Sequence, residues 1–152
     1  MLRIPNKTSV TLTLIVTFVT LALLAAVTVA LPSLTYFYLH SLHAALMEAH
    51  YTGILVNLYA ALVPAYCAVF VLIRLLRNVR QEAVFCDSSV SCLRILSYCC
   101  FAETVIFAVL GRFFVLSFLI AFAALFMGLI LRVVKNVIGE AVELKNENDL
   151  TV

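Results

Sequence analysis

One acidic residue stands alone in a long apolar stretch. Glu103 lies nine residues from both Arg94 and Arg112. On a helix that is about 13.5 Å from either arginine, so if the arginines reach opposite membrane surfaces the carboxyl sits near the midplane, where an ionised carboxylate is costly. Glu103 is therefore expected to be protonated or to face a polar partner inside the protein. The candidate partners are Asn57, Tyr59, Tyr66 and the threonines Thr13, Thr17 and Thr20. Two kinds of chemistry are open to it. One is a proton or cation relay; the other is a neutral carboxyl that hydrogen-bonds helices together. A relay lacks a second intramembrane acid or lysine to continue it.

A second group, His40, His43 and His50 with Glu48, has nitrogen and oxygen donors of the type that ligate zinc. His40 and His43 would share one face of a helix. No cysteine or second HxxH accompanies them, so they are weak metal candidates and interfacial polar residues otherwise; protonation below pH 6.5 would make them pH sensors. Among the five cysteines, adjacent Cys99 and Cys100 lack CxxC spacing. They are expected to be reduced packing residues. No paired carboxylates, HExxH or nucleophile elbow is present, so neither an enzyme nor a cofactor is expected.

The elements that must position these residues follow from composition. Of 152 residues 65% are hydrophobic and 12% charged, with a mean hydropathy of +1.16, against a usual apolar share of roughly 45–50%. A spanning helix takes about 20 apolar residues, so the chain reads as a single four-span membrane domain over 1–152. The expected spans are about 11–31, 54–73, 93–110 and 113–131, followed by an extension over 132–152. Pro32 is expected to end the first span, leaving an outer segment to Gly53 with Tyr36, Phe37, Tyr38 and Tyr51 at the headgroups. Gly111 and Arg112 would join spans 3 and 4 as a tight hairpin. A cleaved signal peptide competes for the N-terminus, although the apolar run from Thr8 exceeds the usual 7 to 15 residues.

Charge orients the spans. Arg3, Lys7, Arg74, Arg77, Arg80, Arg94, Arg132, Lys135 and Lys145 fall on one side and Arg112 on the other, which makes the first side cytoplasmic and places both termini there. The expected fold is an all-α integral membrane four-helix bundle. Ser117, Ala121, Ala124 and Gly128 on span 4, and Thr13, Thr17 and Thr20 on span 1, allow close helix approach. Beyond Arg132 the residues Val134, Val137, Ile138, Ala141 and Val142 recur at helical spacing opposite Lys135, Asn136, Glu140 and Glu143, giving a short amphipathic cytoplasmic extension. A net charge of +2 offers no surface for direct nucleic-acid binding.

Longer stretches carry a family likeness. The inner loop Leu75 to Ile95, with Val84-Phe85, Val90 and Leu93-Arg94-Ile95, followed by Ser97-Tyr98-Cys99-Cys100-Phe101, resembles the bacterial tetraspan membrane family called domain of unknown function 2975. So do Phe126 to Val137 and the closing Ala141 to Val152. Tyr98 stands where that family is expected to carry tryptophan, and Glu103 where it is expected to carry an apolar residue. The resemblance implies a multi-pass protein of the bacterial cell membrane, with lipid around it. It also implies a regulatory partner role toward a small helix-turn-helix DNA-binding protein met in the cytoplasm. Arg74, Arg77, Arg80, Phe85, Arg94, Arg132, Lys135, Glu143, Asn148 and Asp149 are the residues expected to bind such a partner. The alternative is a small transporter or channel using Glu103, homo-oligomeric because four spans are too few for a monomeric inverted-repeat pore.

Overall fold

The computed structural model describes residues 6–41, 50–80 and 87–150, with side chains described for 11–40, 50–79, 87–144 and 147. Four helices make up this part of the chain: α1 Asn6–Ser41, α2 Tyr51–Arg80, α3 Asp87–Leu110 and α4 Leu116–Leu150. Each is long and apolar enough to cross a membrane. The fold is all-α, as the four apolar stretches predict.

Packing runs in chain order, α1 on α2, α2 on α3 and α3 on α4, with the last contact the most extensive. Burial agrees with that order: 28% of the apolar window is buried in α2 and in α3, against 11% in α1 and 17% in α4. The outer pair therefore presents most of its apolar surface, including Phe18, Leu23, Phe122 and Phe126, to lipid. α1 and the α3–α4 turn meet at the end rich in aromatics, where Tyr38 packs edge-on to Phe114 with centroids 5.6 Å apart. Leu39, Ile54 and Leu110 form a buried cluster there, with Phe107 and Phe113 against it. An apolar crevice of about 420 Å³ lies beside this cluster, lined from α1 by Leu31 and Leu34 and from α4 by Leu116 and Ile120.

Pro32 does not end the first helix, contrary to the sequence expectation. A proline inside a helix frees the carbonyl four residues earlier, here that of Thr28. The Tyr59 hydroxyl on α2 donates to this carbonyl at 3.4 Å, and the Thr28 hydroxyl lies 2.9 Å from the Tyr66 hydroxyl. Tyr51 adds a bond to the Pro32 carbonyl at 3.4 Å. A neighbouring helix thus supplies the donors that let proline stay inside a span. Tyr36, Phe37 and Tyr38 consequently sit on α1 rather than in a loop, all three exposed.

The hairpin between α3 and α4 is longer than two residues. Phe113 and Phe114 both donate backbone N–H groups to the Leu110 carbonyl, and Ser117 donates to that of Phe114, so α4 starts at Leu116 rather than at 113. Gly111 lies close under the Phe118 ring at this turn. A Cβ there would lie 2.8 Å from the Phe118 ring. Below the turn, Ser117, Ala121 and Gly128 are buried and Ala124 is half-buried, the small-residue face that their spacing predicts.

Candidate functional site

Two polar arrangements lie along α3. The first centres on Glu103. α2 and α3 run antiparallel in a register fixed by the Asn78 side-chain amide, which donates to the Ser88 hydroxyl at 3.2 Å, and by Cys67 lying beside Cys99. Extending that register brings Glu103 level with Val63 and Asn57 level with Val109, about 9 Å apart along the axis. The two do not meet. Oε2 of Glu103 and Oδ1 of Asn57 are each buried with no hydrogen-bond partner among the described residues.

The tyrosines expected as partners for Glu103, and two of the threonines, are engaged elsewhere. Tyr59 and Tyr66 bond to Thr28 on α1, while Thr17 and Thr20 donate back to the carbonyls of Thr13 and Val16 on their own helix. The tyrosine–threonine set was not singled out from sequence as an interface. Its signal is nonetheless present: Tyr59 and Tyr66 are seven residues apart on one face of α2, and Thr28 is the residue whose carbonyl Pro32 frees.

The second arrangement lies at the basic end, between α3 and α4. Ser97 donates to the Gly128 carbonyl at 3.0 Å, which locks the two helices in close contact. One turn further toward that end, Arg94, Ser97 and Tyr98 on α3 and Arg132 and Lys135 on α4 line a cavity of about 50 Å³. Helical spacing explains the convergence. Residues 94, 97 and 98 share a face of α3, and 128, 132 and 135 share a face of α4, so once Ser97 meets Gly128 the cations must follow. No carboxylate is among the residues that line the cavity.

Of the residues expected at a partner surface, this cavity gathers Arg94, Arg132 and Lys135. Arg74 and Arg77 are exposed at the end of α2, outside it. Glu143 is exposed on the extension of α4, eight residues beyond Lys135. Phe85 and His43 lie outside the described residues, as do the side chains of Arg80, Asn148 and Asp149. His40 stacks on Tyr36 with centroids 5.9 Å apart, and His50 packs on Phe113 at 5.4 Å. Among the described residues no three His, Cys, Asp or Glu side chains gather into a metal site.

The extension itself is helical through Leu150, but its apolar stripe divides. Val142 is buried and Ile138 and Ala141 are half-buried, while Val134, Val137 and Leu144 are exposed. Part of the predicted stripe therefore serves the protein's own packing. The outward face carries Val137 and Leu144 among Glu140, Glu143 and Glu147.

The family model described as "Protein of unknown function (DUF2975)" matches residues 10–152 of the chain. A protein of Bacillus subtilis (strain 168), described as the uncharacterized membrane protein YoaS, is 26% identical over 112 residues, covering 65% of this chain and 70% of that protein. No solved structure matches.

Proposed function

The chain belongs to the DUF2975 family of proteins of unknown function, and from that premise we propose that it is a membrane-anchored regulatory partner, docking a cytoplasmic DNA-binding protein on its C-terminal helix. The observation that carries this reading is the length of α4. Its 35 residues span about 52 Å, whereas a bilayer core of about 30 Å takes roughly 20 residues. Counted from Leu116, the span is complete near Lys135, and the helix continues to Leu150.

Positive-inside bias puts that projecting arm in the cytoplasm of a bacterial cell membrane. Its outward face, Glu140, Glu143 and Glu147 with Val137 and Leu144 between them, suits a partner that is basic and partly apolar. Small helix-turn-helix proteins are basic where they meet phosphate. An acidic arm would compete for that surface, giving membrane recruitment a direct route to DNA release. The test is affinity purification of the full chain in mild detergent from its own host. A small DNA-binding protein should co-elute, and DNA carrying its site should displace it; co-elution of no such protein contradicts the proposal.

A second reading, a small oligomeric transporter, draws on the unpartnered buried oxygen of Glu103. Glu103→Gln keeps shape and hydrogen-bonding capacity while removing charge. On the regulatory reading this variant folds, expresses and binds its partner as the unaltered protein does. Proton-coupled uptake by the unaltered protein in proteoliposomes, lost in Glu103→Gln, would favour transport instead.

A further inference from the structure

The cavity between α3 and α4 at the basic end is lined by cations from both helices. Two guanidinium groups and an ammonium, from Arg94, Arg132 and Lys135, line one small space with the hydroxyl-bearing residues Ser97 and Tyr98. Like charges gathered in this way repel one another, and no acidic side chain is among the residues that line the cavity. Arginines and lysines that merely snorkel extend separately from lipid-facing positions toward water. Here Arg94 and Arg132, both exposed, and half-buried Lys135 come from two helices and border one crevice that those helices share.

We propose that this cavity binds a phosphate-type oxyanion, supplied by the headgroup of an anionic phospholipid. Its size limits the ligand: about 50 Å³ is a few times the roughly 10–15 Å³ that admits one water, enough for a single tetrahedral oxyanion and too little for a nucleobase or a sugar. Its donors select the chemistry, since two guanidinium forks and an ammonium call for more acceptor positions than one carboxylate provides. Its position selects the source. Arg94 and Arg132 stand where the apolar stretches of α3 and α4 meet the basic end, and exposed Ile95, Leu129, Ile130 and Val133 continue away from the cavity as a surface for acyl chains. Basic pockets between spanning helices at the cytoplasmic boundary take lipid phosphates in this way. The Ser97 bond to the Gly128 carbonyl fixes the spacing of the two helices that carry the cations.

The site is separate from the acidic arm proposed to dock a protein, and either can fail without the other. The full-length protein, purified in mild detergent, is exposed to phosphatidylglycerol, to phosphatidylcholine and to inorganic phosphate, and bound lipid is counted by native mass spectrometry alongside thermal unfolding. One phosphatidylglycerol per chain should be retained in at least tenfold preference to phosphatidylcholine, with a higher unfolding temperature. Arg94→Gln with Lys135→Gln should abolish the preference while helix content and elution volume stay unchanged. Arg132→Lys, which keeps the charge and removes the fork, should weaken it several-fold. Arg3→Gln with Lys7→Gln removes two charges elsewhere and should leave it intact. If inorganic phosphate protects as strongly as phosphatidylglycerol, and the same cavity variants lose that protection, the oxyanion site stands with free phosphate as its source. Equal retention of the two lipids with no protection by phosphate, or an undiminished preference in the Arg94/Lys135 variant, overturns the proposal.

Discussion

Gly128→Leu is expected to destabilise the fold strongly, with unfolding in detergent easier by roughly 1–3 kcal/mol or more. A Cβ at position 128 would already stand 3.1 Å from the Phe101 ring and 3.2 Å from Cβ of Cys100, so even alanine requires its neighbours to give way by a few tenths of an ångström. Leucine must push α4 away from α3. Separation breaks the Ser97 bond to the Gly128 carbonyl and disperses the cations of Arg94, Arg132 and Lys135. In a membrane, lipid is as apolar as a leucine side chain, so helices associate through close packing and interhelical hydrogen bonds rather than by escape from water. The α3–α4 pair has the most extensive contact in the bundle, and loss at this point is not made up elsewhere. Size-exclusion profiles and thermal melts of Gly128→Ala and Gly128→Leu should show a graded loss; a leucine variant that melts with the unaltered protein would refute this packing.

The second large effect is expected at the other end of α4. Deleting residues 140–152 should leave the four spans inserted while abolishing co-purification of the cytoplasmic partner. Val142 is buried, so the deletion also removes one packed side chain, a cost of roughly 1.5–3 kcal/mol. A charge reversal separates the two consequences. Glu140→Lys, Glu143→Lys and Glu147→Lys together keep the helix and Val142 but invert the exposed face, and should repel a basic partner as completely as deletion removes it. Partner retention in both variants would remove the structural support for a regulatory role.

Much of this architecture is legible in the sequence because it depends on local quantities. Apolar stretches of about 20 residues mark the helices, one of them interrupted by Glu103, and the period of Ser117, Ala121, Ala124 and Gly128 marks a small-residue face of α4. The errors arise where the deciding partner is distant in the chain. Pro32 looks like a helix end until Tyr59, 27 residues later, is seen to satisfy the Thr28 carbonyl. Phe113 and Phe114 look like the start of a span by hydropathy, yet the Leu110 carbonyl accepts from both and folds them into the turn.

The candidate sites show the same division. Arg94, Arg132 and Lys135 are visible one by one as interfacial cations, but their convergence depends on the α3–α4 register set by Ser97 and Gly128. Glu103 is conspicuous by its charge, whereas the diversion of Tyr59 and Tyr66 to Thr28 follows from the pairing of α1 with α2. The stripe on the C-terminal extension is legible as a period of three and four. Which half of it the protein keeps for itself is a matter of tertiary contact.

The regulatory reading stands on the side of the membrane that α4 reaches. Reporters active only in the cytoplasm, or only outside the membrane, fused after Val152 and within residues 44–50, measure this directly. A cytoplasmic C-terminus with an external 44–50 segment is the predicted result. An external C-terminus would contradict the orientation drawn from the basic residues, and with it the docking arm.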